Sequence, residues 1–372
     1  MIFLRNFSRI FVGLVFIFSG LVKGVDPLGT AYRIEDYFIA YGTEWALPLT
    51  LFISIFLSGL EFLLGIILIL NVRIRFFSWI LFLLMIFFTL LTLYDAIYEP
   101  VPDCGCFGDA IKLSNWETFY KNIILIIFVS FIFFNRNSYR SPFSNGFQNT
   151  IAIAFAALFV IFSGYNYLHL PMMDFREWKV GNDMDPDDRG EAKIYLTFRD
   201  INTGETKEYL SPDYPWEDSV WMANWEFVDQ RVDDSEVIRA HELLIENREG
   251  MDVTEDFISN PGLIMLVIAY DLDKTNVESY KDIENLFRKA DRDGISLIVI
   301  TSSLPPDVEK FRQGLDPNLE FYYADDIALK TMIRSNPGLM LMKDGFVLGK
   351  WHHNDLPSYK ELEEEFFKLK ND

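Results

Sequence analysis

Five apolar stretches in the first 170 residues are each long enough to cross a bilayer as a helix. About 30 Å of hydrocarbon needs roughly 20 helical residues. The runs fall near Phe7–Val25, Leu49–Leu70, Phe76–Ile97, Phe119–Phe134 and Ile151–Leu170. A backbone in hydrocarbon must satisfy its own N–H and C=O groups, so a helical bundle is expected. The fourth run is the shortest and carries Lys121 and Asn122 near its start. The first has no small-residue cleavage site after its apolar core; Lys23-Gly24-Val25-Asp26-Pro27 follows instead. It reads as a retained span rather than a secretory signal.

Charge divides the chain at the same place. Residues 1–147 hold ten Lys/Arg and ten Asp/Glu, so the whole net charge of −21 falls in residues 148–372. An acidic exterior argues against nucleic acid or an anionic lipid surface as partner of the second half, and solubility accounts for it. Within the first half, one set of short connections carries Arg5, Arg9, Arg73, Arg75, Arg136 and Arg140 and no acidic residue. The opposite set, residues 26–48 and 95–117, is read as loops rich in Asp and Glu. The positive-inside rule places the arginines in the cytoplasm. The expectation is an integral protein of the cytoplasmic (inner) membrane, with the N-terminus cytoplasmic and residues 171–372 outside it. In a Gram-negative cell that outer space is the periplasm.

The chain has two cysteines, two positions apart, in Asp103-Cys104-Gly105-Cys106-Phe107-Gly108-Asp109. This loop belongs to the acidic, outer set, where disulfides form and persist. A disulfide between residues i and i+2 closes a small ring, which suits an exchanging pair better than a brace. Cys104 and Cys106 are therefore the candidate catalytic residues; which attacks first is open, and a permanently closed loop is the competing reading. Two cysteines and the sequence-distant His169, His241, His352 and His353 give no expected metal site. His352 and His353 are expected at the surface or at a helix cap. Glu61 lies deep in the second run, where a carboxyl group needs a partner. Lys23 and Lys121 are both candidates to reach it, making an interhelical ion pair, a proton relay or a quinone contact.

The second half reads in two parts. Residues 171–260 form a β-rich segment, with a hairpin from Lys193–Phe198 and Lys207–Leu210. Trp216, Trp221 and Trp225 are a candidate partner surface, or cover for a small sheet. Asp183, Asp185, Asp187 and Asp188 resemble a calcium loop, but glycine and the closing glutamate are not at the needed offsets. From residue 261 the pattern is regular: strands at Leu263–Tyr270, Ser296–Thr301 and Glu320–Ala324, helices at Val277–Arg292, Pro305–Gly314 and Asp326–Arg334. A hairpin, Gly338–Met342 with Phe346–Trp351, and a helix, Pro357–Lys370, end the chain. This alternation implies a mixed sheet covered on both faces.

That order, with Ser335-Asn336-Pro337-Gly338-Leu339 ahead of the hairpin, resembles the thioredoxin fold over residues 261–372, nearest its peroxiredoxin-like and TlpA-like branch. The resemblance implies a cis proline at 337 and a partner groove at Asn336 and Pro337. The family's Cys-x-x-Cys would fall at Asp271-Leu272-Asp273-Lys274, where there is no cysteine. Such a domain has no thiol chemistry of its own; Asp271 and Lys274 read as exposed turn residues.

Residues 1–140 resemble the DoxX/MauE group of redox-associated membrane proteins. The likeness is carried by Phe18-Ser19-Gly20-Leu21-Val22-Lys23 with Asp26-Pro27, by Glu61 with Leu64-Gly65, and by the 103–109 cysteine motif. It implies thiol–disulfide redox, with quinone as an electron sink and an extracytoplasmic thiol or disulfide protein as partner. The expected division is a four-span bundle at 1–147, a fifth helix at 148–170, the β-rich segment at 171–260 and the thioredoxin-like domain at 261–372. The expected function is a membrane thiol–disulfide oxidoreductase whose soluble domain is a redox-inactive binding module. The alternative is a non-catalytic assembly or maturation factor with a structural loop disulfide.

Overall fold

The computed structural model describes residues 2–102, 104–185, 193–233 and 243–367. Asp103, Asp187, Asp188 and His241 lie outside the described residues. Among those described, five helices are long and apolar enough to cross a membrane. They are α1 (Ile2–Val25), α3 (Thr50–Leu70, entered through a 3-10 turn at Glu44–Leu49), α4 (Ile74–Tyr98), α5 (Asn115–Phe134) and α6 (Asn145–Leu168). The protein is an integral membrane protein whose apolar helices contact the lipid bilayer.

Residues 26–48, expected as a loop, instead contain a helix, α2 (Pro27–Ala40). Its start is specified locally. Asp26 is the N-cap and accepts from the Gly29 N–H at 2.8 Å, while Pro27 occupies the first turn, where a missing N–H costs nothing. The helix packs on α3, and the Ser54 hydroxyl donates to the Pro27 carbonyl at 2.7 Å.

The bundle core joins Val12 and Phe16 of α1, Leu64 and Leu68 of α3, Leu81 and Met85 of α4, and Leu125 and Val129 of α5. Helices α1 and α3 approach backbone to backbone. A Cβ at Gly20 would fall 2.6 Å from the Phe62 nitrogen, and one at Gly65 would fall 2.7 Å from the Gly13 carbonyl oxygen. Only small residues permit such a crossing. α6 packs on this pair through Phe159, whose ring stacks on Phe62 at 5.3 Å. At one end the arginines close the bundle: Arg9 donates to the Leu68 and Ile69 carbonyls, and Arg75 to Asn137.

Beyond α6 stand two sheets. The smaller joins β1 (Lys193–Asp200), β2 (Thr206–Leu210) and β3 (Trp225–Asp233) in the order β2-β1-β3, all antiparallel. A short helix, α7 (Ser219–Asn224), precedes β3. The expected hairpin is present; β3 is an addition to it that begins at Trp225, expected as a partner surface or as cover for the sheet, and runs through residues given no expected strand.

After α8 (Thr254–Ile258) comes the larger sheet, in the order β6-β5-β4-β7-β8, with β4 (Leu263–Ile268) at its centre. β5 (Ser296–Thr301) and β6 (Glu320–Tyr323) run parallel to β4, while β7 (Gly338–Lys343) and β8 (Phe346–His352) form the antiparallel hairpin. All six β4 residues are buried. Met265 and Val267 face a core with α9 (Tyr280–Arg292), α10 (Pro305–Arg312) and α12 (Tyr359–Glu365). Ile264, Leu266 and Ile268 face a second core with Trp178, Ile258 and α11 (Asp326–Met332). Burial on both faces is why the strand is apolar throughout rather than alternating. The Asn336–Pro337 peptide bond is cis.

Candidate functional site

The loop between α4 and α5 turns on glycines. Gly105 and Gly108 have φ of +62° and +54°, values that side chains with a Cβ rarely adopt. This turn sets the two cysteines side by side as free thiols, with sulfurs 3.4 Å apart. They are half-buried and line a cavity of about 500 Å³ inside the bundle. Phe16, Met85, Leu91 and Leu125 form part of its apolar wall, and Ser19, Lys23, Glu61, Tyr37 and Lys121 supply its polar groups.

Glu61 is buried, and the two candidate lysines separate. Lys23 Nζ pairs with Glu61 Oε2 at 2.5 Å. Lys121 does not reach Glu61; its ammonium lies 4.6 Å from the centre of the Phe107 ring and faces Cys106. The Ser19 hydroxyl lies 2.8 Å from Glu61 Oε2 and 2.7 Å from the Cys106 carbonyl oxygen. Its one hydrogen serves these acceptors in turn, so it links the buried ion pair to the cysteine backbone.

The two thiols are not equivalent. The hydrogen bond from Cys104 holds Cys106 below the ordinary thiol range; burial opposes this, and the Lys121 and Lys23 charges add to it. Cys104 is pushed well up, by that same hydrogen bond and by burial. A thiolate is the reactive form, and nearby cations and donated hydrogen bonds favour it. Beside Cys104, the Tyr37 hydroxyl donates to Asp95 Oδ2 at 2.7 Å. Burial first, then Cys104, raises the Tyr37 phenol, so it stays a donor.

The loop also meets the α/β region. Arg334, between α11 and β7, has a side chain only 6 % exposed and pairs with Asp26 at 2.9 Å and Asp109 at 3.0 Å. Asn336 and Arg334 line a separate cleft of about 680 Å³ between α2 and the α/β region. Asn336 Nδ2 donates to the Asp271 carbonyl at 2.7 Å, tying the Pro337 turn to the loop after β4. Trp216, Trp221 and Trp225 line neither space. Trp221 and Trp225 stack at 5.8 Å over the small sheet, and Trp216 is exposed. Lys274 and Asp271 form a surface pair at 2.8 Å, as expected of turn residues. His352 is a correction: it is buried at the end of β8, with its ring 4.0 Å from that of His353. Burial, with the neighbouring His353, lowers its pKa to about 4.

Residues 1–135 match the family described as Methylamine utilisation protein MauE. The MauE match takes in α1 to α5, the cysteine loop, Lys23, Glu61 and Lys121, and stops short of α6 and both sheets. No curated protein matches the chain. Ser19, Tyr37, Asp95 and Arg334 join the site without having been singled out for it from sequence. Asp95 had a usable signal, a carboxylate inside an apolar run; Arg334 had none.

Proposed function

We propose that the protein is a thiol–disulfide oxidoreductase of the cytoplasmic membrane, and that Cys104 and Cys106 accept two electrons from the dithiol of an extracytoplasmic protein. The observation that carries this is a pair of adjacent, unequal thiols lining a largely apolar cavity that also holds Ser19, Lys23, Glu61, Tyr37 and Lys121. Stabilising one thiolate stabilises the reduced pair, which makes the corresponding disulfide a better oxidant.

The inequality orders the exchange. A partner thiolate attacks the Cys104 sulfur of the loop disulfide, because Cys106 is the better leaving thiolate. The Cys104–Cys106 bond breaks, Cys106 leaves as thiolate beside Lys121, and a mixed disulfide joins Cys104 to the partner. The partner's second thiolate then attacks its own bonded sulfur and releases Cys104, which takes up a proton. The partner has lost two electrons and gained a disulfide; the loop has gained two electrons.

The cavity also suits the quinone implied by the resemblance. Its volume of about 500 Å³ lies within the usual range of small-molecule sites, which are apolar with a few converging polar groups. Asp95 Oδ1, on the carboxylate that accepts from Tyr37, is buried with no hydrogen-bond partner among the described residues. Tyr37, Lys121 and Lys23 would hold the polar end, and Phe16, Met85 and Leu125 the apolar remainder. A quinone bound there would supply a two-electron, two-proton sink for the reduced pair.

The larger sheet, with β4 central and helices on both faces, supports reading residues 261–372 as a thioredoxin-like domain. Lacking cysteine, it is redox-inactive and serves to bind the partner through Asn336, Pro337 and the tryptophans of the 171–260 segment. The arginine-rich end supports a cytoplasmic N-terminus. The Arg334 contact with Asp109 supports an extracytoplasmic α/β region on the same face as the cysteine loop.

Trapping tests the exchange. Presented with the partner in its disulfide form, Cys106→Ser is expected to accumulate a reductant-sensitive adduct, formed when the Cys104 thiolate attacks the partner disulfide and the partner's other sulfur leaves as thiolate. Cys104→Ser is expected to accumulate far less. The reading is overturned if neither variant forms an adduct and the wild-type thiols label equally with and without reductant.

A further inference from the structure

Helix α2 stands between the two cavities. Thr30, Arg33 and Tyr37 line the one that holds the cysteines; Leu28, Tyr32 and Glu35 line the cleft beneath the α/β region. One side chain of the α/β region grips both α2 and the cysteine loop. Arg334 Nε donates to Asp26 Oδ1 and Oδ2 at 3.1 and 2.9 Å, and Nη2 donates to Asp109 Oδ2 at 3.0 Å. Asp26 is the N-cap of α2, and Asp109 lies three residues after Cys106. The remaining nitrogen, Nη1, donates to the Lys330 carbonyl. The guanidinium carbon lies 5.3 Å from the centre of the Tyr32 ring.

These contacts engage all three guanidinium nitrogens. Two carboxylates from different elements, one carbonyl and one aromatic ring surround one buried cation. A lysine ammonium is a single point charge and cannot bridge both carboxylates in this way. Burial opposes ionisation of Asp26, but the Arg334 and Arg176 charges and the Gly29 N–H more than offset it, so Asp26 stays charged. Without Arg334, Asp26 would keep the Arg176 charge and Asp109 the Arg33 guanidinium at 3.8 Å, but the bridge that joins the two carboxylates would be gone. The cysteine loop would lose the contact that ties Asp109 to the α/β region.

We infer that Arg334 is a positioning residue for the Cys104–Cys106 pair, locking the cysteine loop to the start of α2 from the α/β region. The inference rests on the redox reading of that pair. The α/β region is thereby part of the redox site even though it brings no cysteine.

The test uses the full chain in lipid nanodiscs, with Arg334→Met, Arg334→Lys and Asp109→Asn. Two readouts are followed: the dithiol–disulfide equilibrium against a glutathione buffer, and the ratio of iodoacetamide labelling at Cys104 and Cys106. Arg334→Met is expected to shift both by about fivefold or more, the scale of coupling within one ion-pair network. Arg334→Lys is expected to restore part of the shift, and Asp109→Asn to reproduce most of it. Asp109→Asn carries the test alone if the Arg334 variants fail to fold. A reactive wild-type pair with unchanged equilibrium and labelling ratio in folded variants overturns this inference and leaves the redox reading standing. A wild-type pair that neither labels nor equilibrates overturns both.

Discussion

Lys121 and Lys23 hold different partners beside Cys106, and their loss has different consequences. Lys121 faces the thiol, so Lys121→Met removes a charge that favours the thiolate. The sign follows directly: with the cation gone, Cys106 deprotonates at higher pH, and alkylation at a fixed pH below that point slows several-fold. Rapid-quench labelling from pH 5 to 9 checks this; an unmoved profile would place Lys121 outside the site. Lys23 instead neutralises buried Glu61. Breaking a buried pair from one side strands a charge, at about 3–5 kcal/mol. Lys23→Met should therefore be less stable than the double variant Lys23→Met/Glu61→Gln, as read by thermal unfolding in detergent. Sequence marked Glu61 as needing a partner or a proton and offered both lysines, but could not choose. The choice depends on helix rotation about α1 and α5, which no local pattern encodes.

Among the elements, the α1–α3 crossing is the most constrained. The added Cβ at Gly20 meets backbone atoms of Ser58 and Phe62, at 2.7 and 2.6 Å, which cannot rotate away. Gly20→Leu should force the helices apart and cost about 1–3 kcal/mol as an overpacked contact. It should also displace neighbouring Ser19 from Cys106, so unfolding temperature and thiol labelling rate should change together. The five spans were legible because a long apolar run has few alternatives in lipid, and β4 was legible because a doubly buried strand is continuously apolar. α2 was not: it mixes Arg33, Glu35 and Asp36 with apolar residues, and docking between α3 and the α/β region makes it useful. β3 was hidden for a related reason, since its aromatics read equally well as cover for someone else's sheet.

Across the whole molecule, the cysteine loop and the start of α2 meet the α/β region on one face through contacts spanning 225 and 308 residues of sequence, respectively. Asp26 and Asp109 belonged to motifs visible in the sequence, but their shared partner did not, because nothing local marks an arginine as bridging. This face should be the outer one. In a Cys104→Ser/Cys106→Ser background, Thr203→Cys in the exposed β1–β2 turn should label with a membrane-impermeant maleimide in intact cells. Ser138→Cys, at the arginine-rich end, should label only after lysis. The reverse pattern would invert the topology and remove the oxidising compartment on which the chemistry depends.

The redox midpoint of the Cys104–Cys106 pair in the membrane-embedded protein tests the central claim most directly. An exchanging pair with one stabilised thiolate should equilibrate reversibly at a potential well above about −300 mV, the region below which structural disulfides usually lie. A midpoint below that value, or sulfurs that never equilibrate with a thiol buffer in the folded protein, would contradict it.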